Sequence, residues 1–194
     1  PLMRVSDALT WLAEVIIDHV IRDAFDATVA QYGAPSGAEG VPLAGPALGV
    51  IAYGKLGGLE LGWGSDLDLV FLHDLPVGGT TLGPDAVSNR QFIARMAQRI
   101  IHALTARTFM GQLYEIDLRL RPSGRAGVLV SSLEAFQRYQ QDEAWTWEQQ
   151  ALVRARAVAG SPALCSEFER IRRGVLAKER SPARTIAEVV EMRD

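Results

Sequence analysis

The sequence has little cysteine, little histidine and no long apolar run, and each shortage argues against a class of protein. The one cysteine, Cys165, cannot form a disulfide within the chain and suits a reducing compartment, so we expect a cytoplasmic protein. The three histidines offer no second ligand at metal-binding spacing. No apolar stretch approaches the roughly 20 residues of a membrane span, and no signal-peptide pattern opens the chain. We therefore expect neither a disulfide-rich nor a membrane protein.

Charge and composition narrow the class further. The chain has 20 basic and 23 acidic residues, and this balance gives no reason to expect nucleic-acid binding. With 48% hydrophobic residues and a mean hydropathy near zero, it is predicted to be globular, and its 194 residues suffice for one domain of ordinary size or for a domain with a helical annex. Because the chain opens with Pro1 and the helical pattern over 186–192 stops abruptly, we interpret it as a fragment of a longer protein.

Hydrophobic periodicity predicts an α+β fold, with a small mixed sheet, one long inserted helix, and flanking helices at both ends. The predicted elements are helix 6–31 capped by Ser6, strands 47–53 and 66–73, helix 86–108, strand 113–120, a helix opened by a Ser131–Glu134 capping box, and helices 145–158, 162–177 and 182–194. The expected division is an N-terminal helix (1–32), a Gly/Pro-rich connector (33–46), a core (47–130) and a C-terminal helical region (131–194).

Two carboxylates, Asp66 and Asp68, stand at the start of an apolar strand, directly after the turn Gly64–Ser65. Alternation along a strand places both on one face, with roughly 6.6 Å of rise between them. Their charges repel by about 3 kcal/mol at an effective dielectric of about 20, a cost that a divalent cation removes. Asp-x-Asp pairs also occur as solvated turn residues, but unpaired acids rarely enter an apolar strand. The pair therefore predicts a metal site.

A third acid, Asp117, lies on the next predicted strand. The alternation over 113–120 puts Glu115, Asp117, Arg119 and Arg121 on one face, so Asp117 would join the acidic pair if the two strands are neighbours. Three carboxylates with open coordination positions suit Mg²⁺, and two such ions can serve a phosphoryl-transfer site. The alternative is a salt bridge from Asp117 to Arg119 or Arg121 on an exposed face.

Two glycine-containing turns could contact phosphate. The stretch from Tyr53 to Glu60 carries Gly54, Lys55 and a Gly-Gly pair but fits neither a Walker A loop nor a dinucleotide-binding fingerprint. Its glycines allow close approach of backbone amides to an anion, and Lys55 adds a charge. Gly64–Ser65 is the better candidate because it directly precedes the acidic strand.

The turn, the Asp-x-Asp strand and the later aspartate together resemble the nucleotidyltransferase superfamily that includes DNA polymerase β. Four longer motifs are more specific, and they resemble the glutamine synthetase adenylyltransferase family over residues 9 to 194. These motifs are GKLGGLEL (54–61), SDLDLVF (65–71), DLRLRPSG (117–124) and AWTWEQQALVRAR (144–156).

The resemblance implies a polymerase β-like fold with its catalytic core at 47–130. It implies a bifunctional enzyme in which one domain attaches AMP from ATP to a tyrosine of glutamine synthetase, and a related domain removes it by phosphorolysis. Glutamine and a PII-type signal protein would regulate the whole enzyme. The motif wording, above all the Trp-Thr-Trp-Glu run at 145–148, resembles the C-terminal, adenylylating half.

The resemblance implies roles for those residues of this sequence that match the family's motifs. Asp66, Asp68 and Asp117 match the catalytic acids that bind Mg²⁺. Gly64 and Ser65 match the turn that holds triphosphate. The remaining motif residues with ATP or phosphate roles are Lys55, Arg119 and Arg121. Two alternatives stay open: the deadenylylating half, which uses the same acids, and a non-catalytic module that binds a nucleotide or a regulatory partner.

Overall fold

The structure, a computed structural model, describes residues 2–37, 39–109 and 111–178. The helices are α1 (Leu2–Tyr32), α2 (Gly54–Gly57), α3 (Asn89–Leu104), α4 (Leu133–Asp142), α5 (Thr146–Ala151) and α6 (Pro162–Leu176). The strands are β1 (Ala34–Pro35), β2 (Leu48–Ala52), β3 (Leu67–His73), β4 (Thr81–Leu82), β5 (Arg107–Thr108), β6 (Gly111–Gln112), β7 (Ile116–Asp117), β8 (Val130–Ser132) and β9 (Arg156–Gly160). Helices and strands share the chain, so the predicted α+β class is confirmed.

The main sheet has five strands and is mixed. Its order is β7-β3-β2-β9, and β8 pairs with the far part of β3. The central strand β3 runs antiparallel to β2 and parallel to both β7 and β8. Two separate two-stranded ribbons, β1–β4 and β5–β6, complete the described strands. Because β3 and β7 are parallel neighbours, they bring the start of β3 beside Asp117.

Burial on both faces explains why β2 and β3 form the centre of the sheet. Every residue of β2 is buried, as is every residue of β3 except Asp68 and His73. Alternate side chains enter two different cores: Phe71 packs with α1 and α3, whereas Val70 packs with α4 and α6. Continuous apolar strands of this kind are typical of a sheet covered on both faces. Asp68 is therefore an acid placed in an otherwise apolar strand.

The predicted strand 113–120 is too long. Pairing is limited to Ile116–Asp117, because the Asp117 carboxylate accepts the backbone N–H of Arg119 (2.8 Å). This local bond competes with the ladder and turns the chain away from the sheet. The predicted common face for Glu115, Asp117, Arg119 and Arg121 is consequently wrong beyond Asp117.

The predicted helix 145–158 is also wrong beyond Ala151. After a 3₁₀ turn at Leu152–Arg154, the chain forms β9 and pairs antiparallel with β2. The fully buried strand β2 needs partners for its backbone polar groups on both edges. That tertiary requirement overrides the helix propensity of an Ala- and Arg-rich segment.

Helix ends were predicted with mixed success. Ser161 caps α6 as expected, with its hydroxyl accepting the Leu164 N–H (3.5 Å). Ser132 rather than Ser131 caps α4, with its hydroxyl accepting the Ala135 N–H (3.1 Å). Helix α3 begins after the cap Ser88 and is shorter than predicted, and α1 starts before Ser6, which is therefore not its cap.

The helix predicted from 182 to 194 lies outside the described residues. Among those that are described, no helix has the length and apolar character needed to cross a membrane.

Tyr53 gives a stability prediction. Its side chain is buried in the core shared with α4 and α6, and its hydroxyl has no hydrogen-bond partner in the described part of the chain. Replacing Tyr53 by Phe removes an unsatisfied polar atom at almost constant shape. We expect Tyr53→Phe to preserve the free energy of unfolding or raise it by up to about 1 kcal/mol. A loss of more than about 1 kcal/mol in urea titration would contradict this account.

Candidate active site

Three aspartates meet where β3 begins. Asp68 on β3 lies opposite Asp117 on β7 in the parallel register, and Asp66 precedes β3 by one residue. Each carboxylate offers an oxygen within 4.8 Å of an oxygen from each of the others. The backbone fixes this arrangement, because the Leu67 N–H donates to the Glu115 carbonyl at 2.8 Å and Tyr53 N–H donates to the Asp68 carbonyl at 2.9 Å. The three acids that were singled out from the sequence are thus brought together.

Burial and the two neighbouring acids make the ionised form of Asp68 unfavourable. Burial raises the pKa of Asp68, and the negative charges of Asp66 and Asp117 raise it further. Arg119 and Lys55 act in the opposite direction but do not cancel these effects. A divalent cation would supply the missing charge, and clustered carboxylate oxygens are the donors that Mg²⁺ prefers. The donor set therefore fits a magnesium site.

Asp117 is already paired with a cation. Arg119 donates from its backbone N–H (2.8 Å) and from Nε (2.7 Å) to the two oxygens, and its Nη2 forms an ion pair with Oδ2. The side-chain bond from Arg119 is the main reason why the pKa of Asp117 is lowered. The salt bridge and the acid cluster, which the sequence offered as alternatives, therefore occur together.

Gly54, at the start of α2, packs directly against the acid cluster. Its φ of +55° lies in the left-handed region, and a Cβ at this position would stand 2.2 Å from Asp68 Oδ2. No other residue type fits without displacing that carboxylate. From the sequence, Gly54 was interpreted only as part of a glycine-rich turn that could contact phosphate. Its place in the motif ahead of the acidic strand was a signal, but the contact with Asp68 needed the fold.

The turn before the acids is closed on itself. Ser65 Oγ accepts the Gly62 N–H (3.1 Å), the Ser65 N–H donates to the Gly62 carbonyl (3.2 Å), and Gly64 takes a φ of +68°. Lys55 is exposed on α2, near enough for its charge to act on Asp68. The ATP-binding roles of Gly64, Ser65 and Lys55 remain predictions.

Arg121 mainly organises the loop that follows Asp117. Its guanidinium donates to the carbonyls of Leu118 (2.7 Å), Arg125 (3.3 Å) and Gly127 (3.4 Å). A contact between Arg121 and phosphate remains a prediction, and the bonds to these three carbonyls would compete with it.

A cleft of about 470 Å³ opens between this loop and the acids. It is lined by Asp66, Glu115, Ile116, Asp117, Leu118, Arg119, Arg121 and Arg125. Arg125, which was not among the predicted site residues, adds positive charge that lowers the pKa of Asp117.

Comparison with known proteins identifies the family. A profile described as glutamate-ammonia ligase adenylyltransferase matches residues 1–171. This chain belongs to that family. The acid cluster, Gly54 and the 118–127 loop all lie inside the matched range.

Curated relatives agree with the assignment. The chain is 52% identical over 194 residues to a protein of Hahella chejuensis named bifunctional glutamine synthetase adenylyltransferase/adenylyl-removing enzyme. It is 54% identical over 193 residues to proteins of the same name from Pseudomonas syringae pv. tomato and Pseudomonas putida. In each case the match covers 100% of this chain and 20% of the relative. The chain thus spans about a fifth of the length of these relatives.

The raised pKa of Asp68 predicts a metal-dependent change in stability. The Asp68 carboxyl ionises more readily in the unfolded chain than in the folded protein. At neutral pH, where it is ionised in both states, it therefore destabilises the metal-free fold. This penalty disappears as the pH falls through the raised folded-state pKa. We expect Asp68→Asn to be more stable than wild type in EDTA, on the order of 1 kcal/mol after solvent screening.

Divalent metal should reverse that order. Excess Mn²⁺ would stabilise the wild-type fold by mass action, and the Asn variant would gain less. Melting temperatures measured in EDTA and in Mn²⁺ check both parts. An Asn variant that is less stable than wild type in EDTA would contradict the electrostatic account.

Proposed function

We propose that this chain is an Mg²⁺-dependent adenylyltransferase domain that moves AMP from ATP to a tyrosine hydroxyl of glutamine synthetase. The observation that carries the proposal is the cluster of Asp66, Asp68 and Asp117 in a member of the adenylyltransferase family. The relatives' names supply the protein substrate. The nucleotidyltransferase motif supports a polymerase β-like fold. In this proposal the catalytic core spans 47–130 and the C-terminal region spans 131–194. The C-terminal region contributes β9 to the main sheet.

The chain's own residues have separate roles in this reaction. Asp66, Asp68 and Asp117 would hold Mg²⁺. The stability and diffraction experiments use Mn²⁺ in its place. When bound, the metal would neutralise phosphate charge and favour the ionised form of the attacking hydroxyl. Asp117 is the proposed group that orients or deprotonates that hydroxyl, and Arg119 and Lys55 add positive charge beside the acids.

The transfer itself forms one bond and breaks one. The tyrosine oxygen attacks the α-phosphorus of ATP, the bond from that phosphorus to the bridging oxygen breaks, and pyrophosphate leaves. The hydroxyl proton passes to a base, for which Asp117 is the candidate. Rate enhancement would come from positioning the two substrates and from fixed charges around the phosphates.

The direction of the reaction needs a two-armed assay. In one arm the chain receives unmodified glutamine synthetase with ATP and Mg²⁺; in the other it receives adenylylated glutamine synthetase with phosphate. We expect AMP on tyrosine, detected by mass spectrometry, in the first arm and little ADP release in the second. EDTA should abolish the transfer. ADP release alone would support the deadenylylating alternative, for which the same acids serve.

A non-catalytic module is the alternative of another class. It would bind nucleotide or a regulatory partner without turnover, so inactivity in both arms would favour it. The intact acid cluster argues against it, because the uncompensated charge at Asp68 has no evident structural benefit. Regulation by glutamine and a PII-type protein is proposed for the longer enzyme, following the family resemblance.

A further inference from the structure

The turn before the acid cluster carries an exposed tryptophan. The Ser65 N–H donates to the Gly62 carbonyl at 3.2 Å, and Ser65 Oγ accepts the Gly62 N–H at 3.1 Å, so residues 62–65 form a closed β-turn. Gly64 has the positive φ that the third position of a type II turn requires. Trp63, at the second position, is 85% exposed, more than any other tryptophan of the chain. The turn therefore holds a large apolar side chain in solvent.

A second exposed apolar segment leads into the strand of the third acid. Strands β5 and β6 pair antiparallel as a hairpin, and Phe109 at its tip is 99% exposed. Leu113, directly after the hairpin, is 58% exposed and stands four residues before Asp117. The proposed chemistry gives neither of these side chains a role.

Both segments reach the same edge of the main sheet. Strands β3 and β7 are parallel, and the Leu67 N–H donates to the Glu115 carbonyl at 2.8 Å, so the chain enters the two strands side by side. Trp63 lies three residues before Asp66, and a chain extends at most about 3.6 Å per residue, so their Cα atoms lie within about 11 Å of each other. The exposed apolar residues at this edge are called the apolar rim here; they are Trp63, Phe109 and Leu113.

The apolar rim suits a protein better than a nucleotide. None of its three residues is among the described residues that line the basic cleft beside the acids. Phosphate groups are bound by cations and N–H donors, whereas the rim offers apolar side chains. A tyrosine of a folded protein can bring its hydroxyl to the acids only if the surrounding protein surface covers this edge. Tryptophan is the residue type most typical of interface anchors.

We propose that the apolar rim is the surface on which glutamine synthetase docks, with Trp63 as the anchor that brings the acceptor tyrosine to the acids. This inference rests on the proposed function and assigns the binding site of its protein substrate. Trp63 takes no part in the bond changes at phosphorus. Its loss should therefore weaken docking and leave the chemical step unchanged.

Two matched Trp→Ala variants test the proposal. Trp63→Ala removes the anchor, and Trp11→Ala is the control. Trp11 is 61% exposed on α1, which covers the sheet face opposite the one that Asp68 shares with Val70. Affinity for glutamine synthetase is measured by biolayer interferometry and affinity for Mg²⁺-ATP by calorimetry. AMP transfer gives kcat and KM, and melting temperatures check that both variants are folded.

We expect Trp63→Ala to raise both Kd and KM for glutamine synthetase at least tenfold, because a few anchors carry most of the binding energy of an interface. Its kcat and its Mg²⁺-ATP affinity should stay within about twofold of wild type, since only uniform binding of the protein substrate is lost. Leu113→Ala should weaken the same binding less, about threefold, because its side chain is smaller. Trp11→Ala should behave as wild type.

Three results would overturn the inference: unchanged affinity for glutamine synthetase in Trp63→Ala, an equal loss in Trp11→Ala, or wild-type protein without measurable affinity for glutamine synthetase. A loss of Mg²⁺-ATP affinity in Trp63→Ala would also overturn it, because Trp63 would then belong to the nucleotide site. The binding measurement needs no turnover. Wild-type protein that binds glutamine synthetase through Trp63 but transfers no AMP would support the docking surface and contradict the proposed function.

Discussion

Replacing Asp66 and Asp68 together by Asn is expected to abolish AMP transfer while preserving the fold. Both residues belong to the acid cluster, and each offers a carboxylate oxygen within 4.8 Å of an Asp117 oxygen. Loss of two charged ligands should remove metal binding and slow transfer on the order of 1000-fold or more. Transfer is measured with glutamine synthetase and ATP, and folding is monitored by circular dichroism.

A matched double variant separates the site from general charge effects. Asp26→Asn with Asp74→Asn removes the same two charges at exposed positions, on α1 and just beyond the far end of β3. This control should retain wild-type activity. Full activity in the Asp66/Asp68 variant would contradict the metal-site proposal. Equal losses of AMP-transfer activity in both double variants would show that only net charge matters.

Replacing Gly54 by Ala should be almost as damaging, although the change adds one methyl group. The new Cβ would stand 2.2 Å from Asp68 Oδ2, so either the carboxylate or α2 must move. The positive φ adds a backbone cost of about 1–2 kcal/mol. Because small displacements of reacting groups are costly, we expect transfer to fall about 100-fold or more.

Gly78→Ala provides the control for backbone strain. Gly78 has a φ of +81°, and a Cβ there would meet no atom within 4 Å. Both alanine variants should lose stability, but only Gly54→Ala should lose activity and metal affinity beyond that loss. If the two variants show the same activity per folded molecule, the contact between Gly54 and Asp68 has no functional importance.

The acid cluster could be predicted because its signals were local. Asp66 and Asp68 share a predicted strand whose apolar neighbours make two carboxylates conspicuous, and Asp117 lies on a predicted strand of alternating polar and apolar residues. The β3–β7 pairing brings all three together. The α+β class likewise followed from periodicity, since β2, β3, α1 and α3 have long, regular patterns.

The errors arose where a side-chain bond to the backbone or a tertiary contact overrides the hydrophobic pattern. Alternation continues past Asp117, yet the Asp117–Arg119 bond ends the strand. The segment at 156–160 has the composition of a helix but completes the edge of the buried strand β2. Gly54 packs against Asp68, which is 14 residues away in the sequence, and no hydrophobic period predicts such a contact.

The most direct test of the central proposal is anomalous diffraction from crystals of the chain grown with Mn²⁺ and ATP. The account predicts manganese density coordinated by the carboxylates of Asp66, Asp68 and Asp117, with the ATP phosphates on its open side. Manganese bound elsewhere, with the three carboxylates making no contact to it, would contradict the account.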